Sequence, residues 1–321
     1  MLSTRISLIY PLTDEKRYAR VIKDNTRGSY SVMSYMMDTV ALVGCQDNFK
    51  EALEKAINLI GGLGDLCFPL ILKPNMCSGK DVTGHANVEV GVIGALVDRI
   101  LEDNPEASLR IVESNSAGKF ANKAFTRFGY RTYVDELNGR GMDISLHNLS
   151  KEPLVRTDYD GYYLKSPELP SLLMDAGGLI SVALAKTHGL TFVTGTLKNL
   201  FGLLPSKEKA IYHPEIHKVI LDLNLIFRSR LSLIDGRVGL EGVVKGTPRE
   251  LGCIILGRNP ASVDATMARV MGFDPRKIRH IVEAAGHGLG SLDPVVVGSD
   301  VESHVVEFRE AKGLKANAVL G

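Results

Sequence analysis

The sequence predicts an α/β fold: a mainly parallel sheet covered by helices, arranged as one unit or two tightly packed α/β lobes, with an antiparallel hairpin excursion. Three observations predict it. Strand-like and helix-like patterns alternate along the chain, the signature of successive βα units. The short runs Phe68 to Leu72, Leu179 to Ala185 and Leu251 to Leu256 are apolar on both faces, as strands covered on both sides require. Polar side chains follow two of these runs at once, Lys73-Pro74-Asn75 and Lys186-Thr187-His188, and ligands of α/β sheets bind at the carboxyl ends of strands.

The 321 residues, 45% of them hydrophobic, are enough for a large core. Lys plus Arg number 38 against 37 for Asp plus Glu, a net charge of +1. That balance gives no electrostatic case for nucleic acid or a membrane surface, so an anionic ligand would need a local basic pocket. No apolar run approaches the roughly 18 residues of a spanning helix, and the N-terminal apolar segment is too short for a signal peptide, so a cytoplasmic protein is expected. Cys45, Cys67, Cys77 and Cys253 form no C-x-x-C pair. Buried free thiols are the expectation for them, with no iron–sulfur cluster.

Residues 1–46 are expected to be an N-terminal extension packed on the core, with a strand at Ile6 to Tyr10, a charged helix from Asp14 and a loop from Ser29 to Met37. The core spans 47–298, with a candidate lobe boundary near 170. It opens with a helix from Asp47 to Ile60, whose apolar face is Phe49, Leu53, Ala56, Ile57 and Ile60, stopped by Gly61, Gly62 and Gly64. The strand Phe68 to Leu72 follows, ended by Pro74. Asn87 to Leu101 is amphipathic helix and Leu109 to Val112 the next strand. The small-residue corner Glu113 to Gly118 either binds phosphate or turns the chain before the helix that carries Phe120, Ala124 and Phe128. Asp143 to His147 is a strand. Asp160-Gly161 between Tyr159 and Tyr162 reads as the turn of the antiparallel hairpin, a lid or an oligomer contact; a homo-oligomer fits this pattern.

The buried strand Leu179 to Ala185 feeds the Lys-Thr-His cluster and then a helix at Leu197, Leu200, Phe201 and Leu204, capped by Thr194 or Thr196. Lys198 and Asn199 fall in its first turn, where free N–H groups and a cation would favour an anion. Beyond it come a helix from Glu215 to about Phe227, a strand Leu231 to Ile234 with Asp235-Gly236 at its tip, and a glycine-rich loop from Arg237 to Gly252. The strand Leu251 to Leu256 leads to a helix opened by Asn259-Pro260 and closed by Gly272. A helix then runs within 275–290, a last strand covers Val295 to Val297, and 299–321 is a short helix or loose tail. Neither G-x-G-x-x-G nor the P-loop pattern occurs, so no nucleotide site is assigned.

The blocks LKPN at 72–75, KTH at 186–188, TGTLKNLFG at 194–202, LDLN at 221–224, IDG at 234–236, LEG at 240–242, GRNPASVDATMARVMG at 257–272 and GLG at 288–290 resemble, in order and spacing, the domain-of-unknown-function 362 family. The resemblance covers about residues 68–290. It implies importance, without a fixed role, for Lys73, Asn75, Lys186, His188, Lys198, Asn199, Asp235, Glu241 and Asp264. Many members of the family carry an appended ferredoxin-like iron–sulfur segment whose cysteine runs this sequence lacks.

Chemically these residues sort into a cationic set and an acidic set. Lys73, Asn75, Lys186, Lys198 and Asn199 are expected to bind substrate, a small carboxylate or phosphate. His188, Asp235 and Glu241 are candidate catalytic groups, and Asp235, Glu241 and Asp264 candidate ligands of a divalent metal. The leading expectation is an enzyme acting on a small anionic metabolite. The alternatives are Mg²⁺-dependent phosphoryl or acyl-phosphate chemistry, and a non-catalytic accessory partner of a separate ferredoxin-like iron–sulfur protein.

Overall fold

A computed structural model describes residues 38–320. The expected strand at Ile6 to Tyr10, the helix from Asp14 and the loop to Met37 lie outside the described residues. Among the described residues, a nine-stranded mixed sheet, mostly parallel, runs through the centre of the molecule with helices on both faces. In chain order its first half contains β1 (Thr39–Gly44), α1 (Phe49–Leu59), β2 (Leu70–Pro74), α2 (Val90–Asp103), β3 (Leu109–Glu113), α3 (Ala121–Arg127), α4 (Tyr130–Gly139) and β4 (Ile144–Asn148). A small excursion follows, β5 (Leu154–Arg156), β6 (Glu168–Pro170) and α5 (Ser171–Met174). The second half contains β7 (Gly178–His188), β8 (Phe192–Thr194), α6 (Thr196–Asn199), α7 (Ile216–Ile226), β9 (Leu231–Gly242), β10 (Gly246–Gly257), α8 (Pro260–Val270), α9 (Arg279–Gly286) and β11 (Val295–Gly298).

The strand order is β11-β1-β10-β9-β7-β2-β3-β4, with β8 paired to β7. Strand β7 sits inside the sheet, parallel to β2 on one side and β9 on the other. Its apolar side chains alternate between two cores, because successive Cβ atoms point to opposite faces. Leu179, Ala183 and Ala185 join the core under α6 to α9. Ile180, Val182 and Leu184 join the core under α1 to α4. The same sheet continues on both sides of Pro170, and a core covers each face.

The hairpin excursion is present as β5 and β6, an antiparallel pair separate from the main sheet. Its connection is a wide loop rather than a tight turn at Asp160-Gly161. Asp222 of α7 holds that loop, accepting from the Tyr159 hydroxyl and the backbone N–H groups of Tyr162, Tyr163 and Leu164.

Several further features differ from the sequence expectation. Thr39–Gly44, placed in the N-terminal extension, is the inner strand β1, parallel to β11 and antiparallel to β10. The glycine-rich loop Arg237 to Gly252 is strand: β9 and β10 form a long antiparallel hairpin whose register shifts between Glu250 and Cys253. The helix expected at Leu197 to Leu204 changes to 3₁₀ geometry at Leu200–Leu203. The tail is packed: Phe308 and Ala318 are buried, Ile278 bridges to Val319, and the Leu320 N–H donates to the Lys277 carbonyl. All four cysteines are free, but only Cys45 and Cys253 are buried, Cys67 being exposed and Cys77 half-buried. No helix among the described residues is long and apolar enough to cross a membrane.

Candidate functional site

The carboxyl ends of β2, β3 and β7 point the same way, because these strands are parallel, and they place Lys73, Glu113 and Lys186 at one edge of the sheet. Lys73 and Lys186 are each only 1% exposed, so their ammonium groups need partners inside the protein. Those partners differ in kind. Lys73 Nζ donates to Glu113 Oε2 at 2.8 Å and to the Pro74 carbonyl at 2.6 Å. Lys119 Nζ lies 3.2 Å from the other oxygen, Glu113 Oε1, which also accepts from the Ser114 N–H. Burial acts to raise the Glu113 pKa, but Lys119 and Lys73 outweigh it and hold the carboxyl below its ordinary value. The glycine at 202 leaves room for this ion pair: a Cβ there would stand 2.8 Å from Lys73 Cε.

Lys186 has no carboxylate partner among the described residues. Its Nζ donates to Asn75 Oδ1 at 2.6 Å and the Ala86 carbonyl at 2.9 Å, with Cys77 Sγ at 3.3 Å. The Cys77 thiol also reaches the Val243 carbonyl in the turn between β9 and β10, so that hairpin walls this side. Asn75 Nδ2 donates to Asn199 Oδ1 at 3.3 Å. Asn199 in turn donates to the Lys73 carbonyl, Ser181 Oγ and the Val182 carbonyl. The two asparagines thus tie the tips of β2 and β7 to α6.

Lys198 lies half-buried over the Phe201 ring, Nζ 5.8 Å from the centroid, and has no hydrogen-bonding or ionic partner among the described residues. Burial first, and then the like charge of Lys186, pull its pKa down to about 8. His188 shares the setting. Burial, then Lys198 and Lys186, push its pKa to about 2, so its imidazole is neutral. Its Nδ1 accepts the Leu190 N–H at 3.0 Å, which leaves the proton on Nε2 as a donor. His213 and His280 are also pushed down, by burial and by Lys198 among their neighbours. A cleft of about 560 Å³ lies along the β5–β6 excursion, between residues such as Arg156, Lys165, Pro205 and Tyr212, and is not lined by Lys73, Lys186, His188 or Lys198.

The helix N-terminus expected to bind an anion is already taken. The N-cap of α6 is Gly195, and no side chain of its own segment caps it. Asp264 of α8 does so instead: Oδ1 accepts from the Thr196 N–H at 2.7 Å and hydroxyl at 2.8 Å, and Oδ2 from the Leu197 N–H at 3.0 Å. A Cβ at Gly195 would collide with that carboxylate. Burial raises the Asp264 pKa to about 6 against these hydrogen bonds.

The acids read from sequence as one set are placed apart in their bonding. Asp235 is clasped by Arg237 through Oδ1 at 2.9 Å and Oδ2 at 2.8 Å, and Arg237 also binds Glu89. Glu241 accepts the Arg309 backbone N–H, Nε and Nη2 from the C-terminal tail. Among the described residues no group of three His, Cys, Asp or Glu side chains is arranged to hold a metal. Glu113, Lys119 and Cys77 enter the site without having been selected from sequence. Glu113, at a strand tip opening a small-residue corner, carried a signal; Lys119 and Cys77 carried none.

A family described as a domain of unknown function (DUF362) matches residues 70–269. The chain belongs to the DUF362 family. It is 25% identical over 264 residues to a thylakoid-associated protein of Synechocystis sp., covering 76% of this chain and 77% of that protein. Among solved structures, the lactate racemase apoprotein of Thermoanaerobacterium thermosaccharolyticum matches with a TM-score of 0.44 and 13% identity; the match covers 75% of this chain and 58% of that one. The matched span includes Lys73, Glu113, Lys186, Lys198 and Asp264.

Proposed function

We propose that this DUF362 chain is an enzyme that binds a small carboxylate or phosphate between Lys186 and Lys198. The observation that carries the reading is charge without a counter-charge: two neighbouring lysines, one fully buried and one half-buried, have no carboxylate at ion-pair distance among the described residues. An anion would supply the counter-charge that Lys73 obtains from Glu113, bonding to Lys198 Nζ and offsetting the charge of Lys186, whose three N–H groups are already donated. His188 Nε2–H, on a neutral ring, would donate to the ligand and polarise an oxygen as charge develops there. Asn75 would hold Lys186 in place, and Asn199 would fix α6, which carries Lys198, against the tips of β2 and β7. A metal-assisted reaction would need Asp235, Glu241 and Asp264 together, and each is engaged elsewhere, so the anion reading is the better supported one.

The test is a thermal-shift titration with phosphate and with small carboxylates. An anion at one hundred times its Kd should stabilise the protein by about 2.7 kcal/mol. Lys198→Met and Lys186→Met should abolish the shift, and in the unmodified protein it should weaken as pH rises past 8, when the Lys198 ammonium is lost. A shift that survives both substitutions would refute the site.

A further inference from the structure

The excursion between the two halves of the sheet is itself an incomplete sheet. Strands β5 and β6 pair only with each other, three residues to a side, apart from the nine-stranded sheet. A two-stranded ribbon of this length is marginal alone in water, and an open edge on it is a template for another chain. The outer edge of β5 is open. The Ser171 N–H donates to the Pro153 carbonyl and the Thr157 N–H to the Pro167 carbonyl, so the odd-numbered residues 153 to 157 turn their backbone groups toward β6. Leu154 and Arg156 therefore direct theirs away from it, where no backbone partner meets them among the described residues. Their side chains are also uncovered, Leu154 being 47% exposed and Arg156 exposed. We propose that β5 pairs antiparallel with β5 of a second copy of this chain, about a twofold axis at Leu154, joining the two excursions into one four-stranded sheet.

Side-chain chemistry selects the register. Residues that exchange backbone hydrogen bonds in an antiparallel pair stand directly opposite one another, so Leu154 and Arg156 must each face an even-numbered residue of the other copy. An axis at Leu154 sets Leu154 against itself and Arg156 against the partner's Glu152. Apolar then meets apolar and cation meets acid on both sides of the axis, the self-complementarity that a twofold contact needs. The neighbouring registers fail. An axis at Arg156 opposes two guanidinium groups, one at Val155 opposes Glu152 to Asp158, and like charges directly opposite are destabilising; one at Pro153 sets Leu154 against the Glu152 carboxylate. Both members of the new ion pair are available. Arg156 has no ion pair among the described residues, although Glu168 stands opposite it on β6. Glu152 bonds His147 Nδ1 through Oε1 at 3.0 Å and keeps Oε2 for a guanidinium. Ser150, Glu152, Leu154 and Arg156 all line the 560 Å³ cleft, as alternate side chains on one face of a strand do. The axis stands perpendicular to the joined sheet, so the clefts of the two copies open on the same face.

Sedimentation equilibrium of the full chain over a wide concentration range tests the proposal, and none of its readouts depends on the anion site. The expected result is a reversible monomer–dimer equilibrium. Arg156→Glu should weaken the dimer about tenfold by opposing two pairs of carboxylates, and Glu152→Lys added to it should restore the affinity. Leu154→Cys, placed in a Cys67→Ser background to remove the exposed thiol, should cross-link to its copy on oxidation. The Cα atoms of a hydrogen-bonded antiparallel pair lie about 5.5 Å apart, within disulfide reach. Arg156→Cys in the same background should not cross-link, because its copy lies four residues away along the paired strands, roughly 13 Å. A chain that stays monomeric, a dimer indifferent to Arg156→Glu or not restored by Glu152→Lys, or a cross-link at 156 in place of 154 overturns the proposal. A monomer that instead binds extended peptides along β5 also overturns it and gives that edge to another protein.

Discussion

Lys198 is a charge the free protein tolerates at a cost, because burial and Lys186 both oppose it. Lys198→Met should therefore raise the stability of the ligand-free protein, on the order of 1 kcal/mol, even as it removes anion binding; chemical denaturation in an anion-free buffer reads both effects. Glu113 shows the opposite case. It neutralises Lys73 and Lys119 inside the protein, so Glu113→Gln leaves two buried ammonium groups without a carboxylate and should cost about 3–5 kcal/mol in urea unfolding. The sequence marked Lys73, Lys186 and Lys198 because each follows a strand or opens a helix. It could not say which of them already has a carboxylate. That depends on Glu113, 40 positions from Lys73 and on a different strand.

At the scale of elements, α6 is only four residues long and is held at its start by an acid from α8. Gly195→Ala would drive a methyl group into the Asp264 carboxylate, with an expected loss of 2 kcal/mol or more, about the size of an overpacked core site. The protonation of Asp264 gives a second readout. Its pKa is raised from 3.8 to about 6, so the folded state keeps a proton that the unfolded chain releases. The resulting stability, up to about 3 kcal/mol, is fully present below about pH 4 and is lost as pH rises through 6. Asp264→Asn should remove that part of the pH profile of Tm. Most elements were legible because an amphipathic helix such as α1 or a doubly covered strand such as β7 leaves a periodic trace. The β9–β10 hairpin was not, because Gly236, Gly239, Gly242, Gly246 and Gly252 break the apolar alternation that would mark two long strands. The four-residue α6 was overextended because Leu200, Phe201 and Leu204 keep helical spacing through 3₁₀ geometry and beyond it.

For the whole molecule, the fold class follows from alternation, but the strand order does not. That β1 lies between β11 and β10, and β7 between β2 and β9, is set by tertiary pairing that no local pattern encodes. The C-terminal segment likewise reads as a tail because its sequence lacks periodicity, yet it closes one side of the sheet through Glu241 and Arg309. Arg309→Ala should remove the two guanidinium bonds to Glu241, leaving only the backbone one, and raise hydrogen exchange across 305–320 while leaving β2, β3 and β7 protected, since local opening can occur far below the global unfolding free energy. This segment also runs past the turn after β7: the Lys315 N–H donates to the Gly189 carbonyl at 2.8 Å, one residue beyond His188. Residues more than a hundred positions apart in sequence are thereby neighbours, and the exposed side chain at Lys312 stands on the strap that crosses this turn. An environment-sensitive dye carried there would sit outside the anion site yet sense any shift of the His188 turn, converting ligand arrival into an optical signal.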